Sequence, residues 1–134
     1  MDRKAREFLK IAYELLRKNC RGLPKEGCYR TIVNRLYYGT LHLVAKGLEK
    51  AGEFKPARET PKIHSIVIGR LKRICPDVGN HLEKLHELRK KADYDLHLPF
   101  EKSDLKTAKV LAELIQEEVN KCLSNYRWRM RKKN

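Results

Sequence analysis

Two stretches of the chain gather side chains able to act on a phosphodiester. In the first, Asn34, Arg35, Tyr38 and His42 recur at steps of three, four and seven, which return to one side of a helix. In the second, His86, Arg89, Lys90 and Asp93 do the same, followed by Tyr94, Asp95 and His97. An Arg, a His and a Tyr near one another are the groups a metal-independent ribonuclease needs. A neutral imidazole takes the 2′-hydroxyl proton, and a guanidinium stabilises the charge building on the phosphate. The same residue types also make an ordinary half-buried ion pair, Arg35 or Arg89 with Asp93, that fixes helix register. Removing one partner of such a pair typically costs about 3–5 kcal/mol, so its presence has a purely structural explanation. Spacing alone leaves both readings open. His64 reads as a half-exposed histidine rather than a ligand. No carboxylate pair, nucleophile with a partner base or Gly-rich phosphate loop is visible, so hydrolase, kinase and dinucleotide chemistry lack support. No metal or cofactor is expected.

The elements that must position these groups are all helical. Ala5, Phe8, Leu9, Ala12, Leu15 and Leu16 make one amphipathic helix over residues 3–19, ended by Gly22 and Pro24. A long helix from Lys25 to Ala51 carries Val33, Leu36, Tyr37, Thr40, Val44, Gly47, Leu48 and Ala51 on one face, and Gly52 stops it. Residues 52–61 form a connection with two prolines. Thr60 followed by Pro61 predicts an N-cap and first helical position, and Ile63, Ile66, Val67, Leu71 and Ile74 mark the third helix. Pro76-Asp77 opens a fourth, with Val78, Leu82, Leu85, Leu88 and Ala92 inward, and it must end before Leu98 because Pro99 follows. Ser103 with Asp104 is expected to cap a fifth, striped by Leu105, Ala108, Leu111, Ala112, Ile115, Val119 and Leu123. No segment alternates with period two, so the expected class is all-α. Short connections favour an antiparallel up-and-down bundle of about five helices. The expected layout is a bundle domain over 1–125 and a basic, flexible tail over 126–134.

A chain of 134 residues suits one such core, since at this size folding buries roughly two-thirds of the unfolded surface. The net charge of +14 is unevenly spread. Residues 1–75 carry 18 Lys/Arg against 7 Asp/Glu, residues 76–125 carry 8 against 10, and the last nine add five positives with no acid. Such a distribution attracts a polyanion or an acidic partner, and it also fits plain solubility. In the tail, Tyr126 and Trp128 among Arg127 and Arg129 could stack on bases, and the same run equally fits a disordered, solubilising end. Cys20, Cys28, Cys75 and Cys122 show neither a CxxC nor a zinc spacing and read as free thiols in a reducing compartment. The charged opening MDRKAREF and the lack of a long apolar run predict a cytoplasmic protein with no membrane span.

Three motifs together resemble the HEPN superfamily (higher eukaryotes and prokaryotes nucleotide-binding). Asn34-Arg35-Leu-Tyr37-Tyr38-Gly-Thr-Leu-His42 is similar to its Arg-x-Tyr-Tyr-(Ala/Gly)-x-x-His signature. Lys62-Ile-His64-Ser-Ile-Val67 is similar to its Lys-Thr-His-x-x-Val segment, and Leu88-Arg89-Lys90-Lys91-Ala92-Asp93-Tyr94 to its Leu-Arg-x-x-Ala-Asp-Tyr ending. The resemblance covers about residues 3–123. It implies an antiparallel bundle, commonly a homodimer, often encoded beside a minimal nucleotidyltransferase in a toxin–antitoxin pair.

Some members of that superfamily are ribonucleases with Arg-x(4–6)-His, the Arg followed by a polar residue. Here seven residues lie between Arg89 and His97, and Arg89 is followed by Lys90, whereas Arg35 and His42 meet the spacing with six between but lie on the second helix. The sequence therefore resembles the Arg-x-x-Ala-Asp-Tyr branch. The expected function is a non-catalytic nucleotide- or RNA-binding module using Arg35, Tyr38, His42, Arg89, Asp93 and Tyr94, with tail contacts from Arg127, Trp128 and Arg129. The alternatives are a ribonuclease toxin using Arg89 with His97, or, as the weaker choice, Arg35 with His42, and a structural subunit that binds only protein.

Overall fold

The structure, a computed structural model, describes residues 3–133, with the side chains of residues 58–60 left out. It is an all-α bundle of five long helices: α1 (Arg3–Arg17), α2 (Lys25–Lys50), α4 (Ile63–Ile74), α5 (Pro76–Tyr94) and α6 (Lys102–Lys133). Between α2 and α4 lie a single helical turn, α3 (Pro56–Glu59), and a 3-10 turn over Thr60–Lys62. The expected Thr60 cap lies outside the described side chains. Among the described residues no helix is long and apolar enough to cross a membrane.

Cross-helix contacts give the directions. Arg35 lies over Phe8 while Cys20 bonds Cys28, so α1 and α2 are antiparallel. Asn34 meets Asp93 and Tyr38 meets Arg89, which sets α5 antiparallel to α2. Lys91 meets Asp104 and Cys75 bonds Cys122, so α6 runs back along α5. α2 is the central helix, in contact with α1, α4, α5 and α6. That is why so many of its side chains are sealed: Ile32, Val33, Leu36, Tyr37, Val44 and Leu48 are 0% exposed. Gly39 lets α1 lie flush on it, because a Cβ there would sit 2.7 Å from Leu9 Cγ and 3.2 Å from the Ala5 carbonyl oxygen. The turn after α1 needs left-handed backbone at Asn19, Cys20 and Gly22.

Several local expectations change. α6 begins at Lys102, so Ser103 and Asp104 both lie in its first turn rather than at the cap position; the Asp104 carboxylate reaches back to accept the Glu101 backbone N–H at 3.0 Å. α6 also continues without interruption to Lys133, so the boundary expected at 125/126 falls within a helix. Tyr126 explains part of this, for it is half-buried and its hydroxyl donates to Glu53, which also pairs with Arg73. The four cysteines are not free. Helix packing brings their Cα atoms to 6.0 Å (Cys20 and Cys28) and 6.2 Å (Cys75 and Cys122), and both pairs are disulfides.

Candidate functional site

The two polar stretches meet where α2 crosses α5, and Arg89 is at their centre. Its side chain lies on the inward face between Leu85 and Ala92 and is only 9% exposed. Nε donates to Asp93 Oδ2 at 2.8 Å, and Nη2 donates to the Tyr38 hydroxyl at 2.6 Å and the Tyr94 hydroxyl at 3.1 Å. The rings of Tyr38 and Tyr94 face its guanidinium carbon at 4.9 and 5.1 Å. Burial works against the Arg89 charge, but Tyr38, Asp93 and Tyr94 outweigh it and hold the guanidinium above its ordinary range. The network extends across α2: Asn34 Nδ2 donates to the same Asp93 oxygen at 2.9 Å, and Arg35 Nη1 donates to Asn34 Oδ1 at 2.6 Å. Arg35 itself lies over Phe8, 5.2 Å from the ring centre. A small polar pocket of about 280 Å³ opens here, lined by Arg30, Thr31, Asn34, Arg35 and Asp93.

Beside it lies a cluster of rings that spacing did not reveal. Tyr37, His64 and His86 lie nearly parallel with centroids 5.1–5.6 Å apart, and Tyr37 shares a 2.7 Å hydrogen bond with His64 Nδ1. A groove of about 580 Å³ opens over the two imidazoles, walled also by Lys62, Ser65, Lys72 and Glu83. Burial, then the charge of Arg89, then His42 lower the His64 pKa. Burial, then His64 and Lys90, push His86 down to about 4. Both rings are therefore neutral at pH 7 and suited to stacking. His64 is half-exposed, as expected, and its ring is tied to the core tyrosine.

That depression has a stability consequence. A histidine that is neutral in the folded chain and has an ordinary pKa near 6.5 when unfolded binds its proton more readily in the unfolded state. Its contribution is complete above about pH 6.5 and is lost as pH falls toward the folded value of about 4. Thermal midpoints followed from pH 7.5 to 4 should drop across that window, and His86→Phe should flatten this part of the profile. An identical pH profile in His86→Phe would exclude His86 as its source.

The remaining expected site residues separate. His42 is half-buried with its ring 6.0 Å from Phe8. His97 is exposed on the α5–α6 connection, and among the described residues no hydrogen bond or ion pair joins it to Arg89. The reason is local: α5 ends at Tyr94, and Arg30 on α2 donates to the carbonyls of Lys91 and Ala92 at that end and of Leu98 in the connection that follows. Arg30 was absent from the expected site, although it precedes Asn34 by one turn on the same face. Tyr94 is 66% exposed, so it presents ring surface to solvent while holding Arg89 from outside. On the end of α6, Arg127 and Arg129 are exposed, and Trp128 is 53% exposed with Lys132 Nζ 4.5 Å from its ring centre. Among the described residues no group of three or more His, Cys, Asp or Glu side chains is arranged to hold a metal ion.

The cluster can therefore fix the α2–α5 register, present neutral rings to a groove, and offer Arg35 and Tyr94 at its rim. Comparison with protein-family models, with curated proteins and with solved structures finds no match for this chain, so the HEPN resemblance rests on its three motifs.

Proposed function

We propose that this chain is a HEPN-type helical module that binds RNA or nucleotides without cleaving them, as a cytoplasmic homodimer working with a minimal nucleotidyltransferase. The observation that carries the non-catalytic part is the state of Arg89. Its guanidinium is engaged by Asp93, Tyr38 and Tyr94 in the interior, so it is spent on architecture rather than held ready for a phosphate. The net charge of +14 supports the binding part. So does the exposed run of Arg127, Arg129, Arg131, Lys132 and Lys133, which extends past Leu123, the last buried residue of α6. Ten further helical residues reach about 15 Å. Exposed Trp128 and Tyr94 add ring surface for bases. The nucleotidyltransferase and the homodimer come from the resemblance alone. A cytoplasmic setting has to tolerate the two disulfides, as some intracellular environments do.

Fluorescence anisotropy with a labelled single-stranded RNA in EDTA, between 50 and 200 mM salt, tests this reading. Affinity should fall linearly on a log–log plot while the RNA stays intact. Replacing Arg127, Arg129 and Arg131 by Gln should reduce the slope by about 2, at roughly 0.7 per lost phosphate contact on a single strand. Affinity independent of salt, or an unchanged slope in the triple variant, would overturn the electrostatic reading. Metal-free cleavage that disappears in folded Arg89→Ala would replace it with the ribonuclease.

A further inference from the structure

The two disulfides differ in their surroundings. Cys20 and Cys28 are 1% and 5% exposed, sealed between the turn after α1 and the start of α2. Cys75 is 2% exposed, but its partner Cys122 is half-buried, and both line an open cleft of about 500 Å³. Cys122 is thus the most exposed of the four cysteines. The cleft has a character of its own on this basic protein, since Asp77, Glu117 and Glu118 face it against a single Lys121. Cys75 occupies the N-cap position of α5, where no side chain caps the first turn and Pro76 follows. A sulfur in that position gains from the positive end of the helix once it carries charge.

We propose that Cys75–Cys122 is an exchangeable disulfide whose cleft selects small neutral or cationic thiols. A thiolate entering the cleft attacks Sγ of Cys122, the more exposed residue of the pair, and forms a mixed disulfide. The Cys75–Cys122 bond breaks, and its electron pair leaves on Cys75 Sγ at the α5 N-terminus. A second equivalent of the thiol then attacks the reagent's sulfur in the mixed disulfide and releases Cys122 as a thiolate. Two reagent thiols are oxidised to one disulfide, and the protein disulfide is reduced to two thiols, which take up the two protons the reagent gave. Selectivity follows from charge. A thiol that carries a carboxylate must approach the three carboxylates of the cleft as a double anion, whereas one that carries an ammonium attacks as a zwitterion of no net charge and is not repelled. The same reaction removes the covalent tie between the α4–α5 corner and α6, one residue before α6 buries Leu123.

The test is stepwise reduction of the native protein at low salt, with cysteamine, 2-mercaptoethanol or 3-mercaptopropionate at matched thiolate concentration. Samples are quenched by alkylation and mapped by mass spectrometry. Cys75 and Cys122 should become alkylated before Cys20 and Cys28, and cysteamine should react on the order of tenfold faster than 3-mercaptopropionate. Glu117→Gln with Glu118→Gln, both exposed positions, should bring the two rates together, as should high salt. Four thiols already free before reduction would overturn the proposal. So would earlier loss of Cys20–Cys28, equal rates for the three reagents, or reduction of Cys75–Cys122 only after unfolding.

Discussion

Arg89→Ala should lower the stability of the fold by about 3 kcal/mol and its thermal midpoint by on the order of 10 °C. The substitution removes more than one ion pair. Asp93, whose side chain is 23% exposed, keeps Asn34 alone as a donor among the described residues, and Tyr38 loses the partner that holds its hydroxyl at 2.6 Å. Tyr38, whose pKa is raised chiefly by burial, stays protonated and cannot supply the missing charge balance. Because the guanidinium donates through Nε and Nη2 in different directions, a lysine cannot reproduce it. Arg89→Lys should therefore recover less than half of the loss. Denaturant titration with a constant m-value measures both variants. An unshifted midpoint in Arg89→Ala would mean that the network does not hold α2 against α5. Comparing this stability loss with RNA affinity measured below the variant's midpoint then separates architecture from binding, which a cleavage assay alone does not.

Much of this arrangement was legible in the residues. The apolar stripes gave the five long helices because each is striped at the period its buried face requires, from Ala5, Leu9 and Ala12 on α1 to Ile115 and Val119 on α6. The steps within 34–42 and 86–93 also identified the faces that meet. Spacing could not say whether those faces enclose each other or open to solvent, and that distinction decides whether Arg89 is buried or available. Phe54 and Phe100 are each 3% exposed, yet both sit in connections where no period marks them. His64 and Tyr37 pair across separate helices, so neither helix's own pattern betrays the contact. The end of α6 lacks an apolar stripe and reads as a flexible tail, yet the helix continues through it, with Tyr126 and Met130, four residues apart, half-buried on one side. Cysteine pairing is a matter of three-dimensional proximity. Sequence separations of 8 and 47 carried no signal for it.

Removing Cys75–Cys122 should cost more stability than removing Cys20–Cys28, although the latter is the more deeply buried pair. In the chain-entropy account a cross-link acts on the unfolded state, and its effect grows with the loop it closes. The sequence separation of 47 corresponds to about 4 kcal/mol, and the separation of 8 to about 2.5 kcal/mol. Paired alanine substitutions keep the comparison fair, since each removes two sulfurs and leaves no unpaired thiol. Their packing costs pull the other way: Cys20 and Cys28 are both sealed, whereas Cys122 is half-buried, so lost contacts alone would rank the short-loop pair as the more damaging. The order of the two unfolding free energies thus decides between the mechanisms. A larger loss in Cys75→Ala with Cys122→Ala means that the long loop dominates. The reverse order would mean that these bridges stabilise through native packing, and the Cys75–Cys122 cleft would then be free to open in exchange at little expense to the fold.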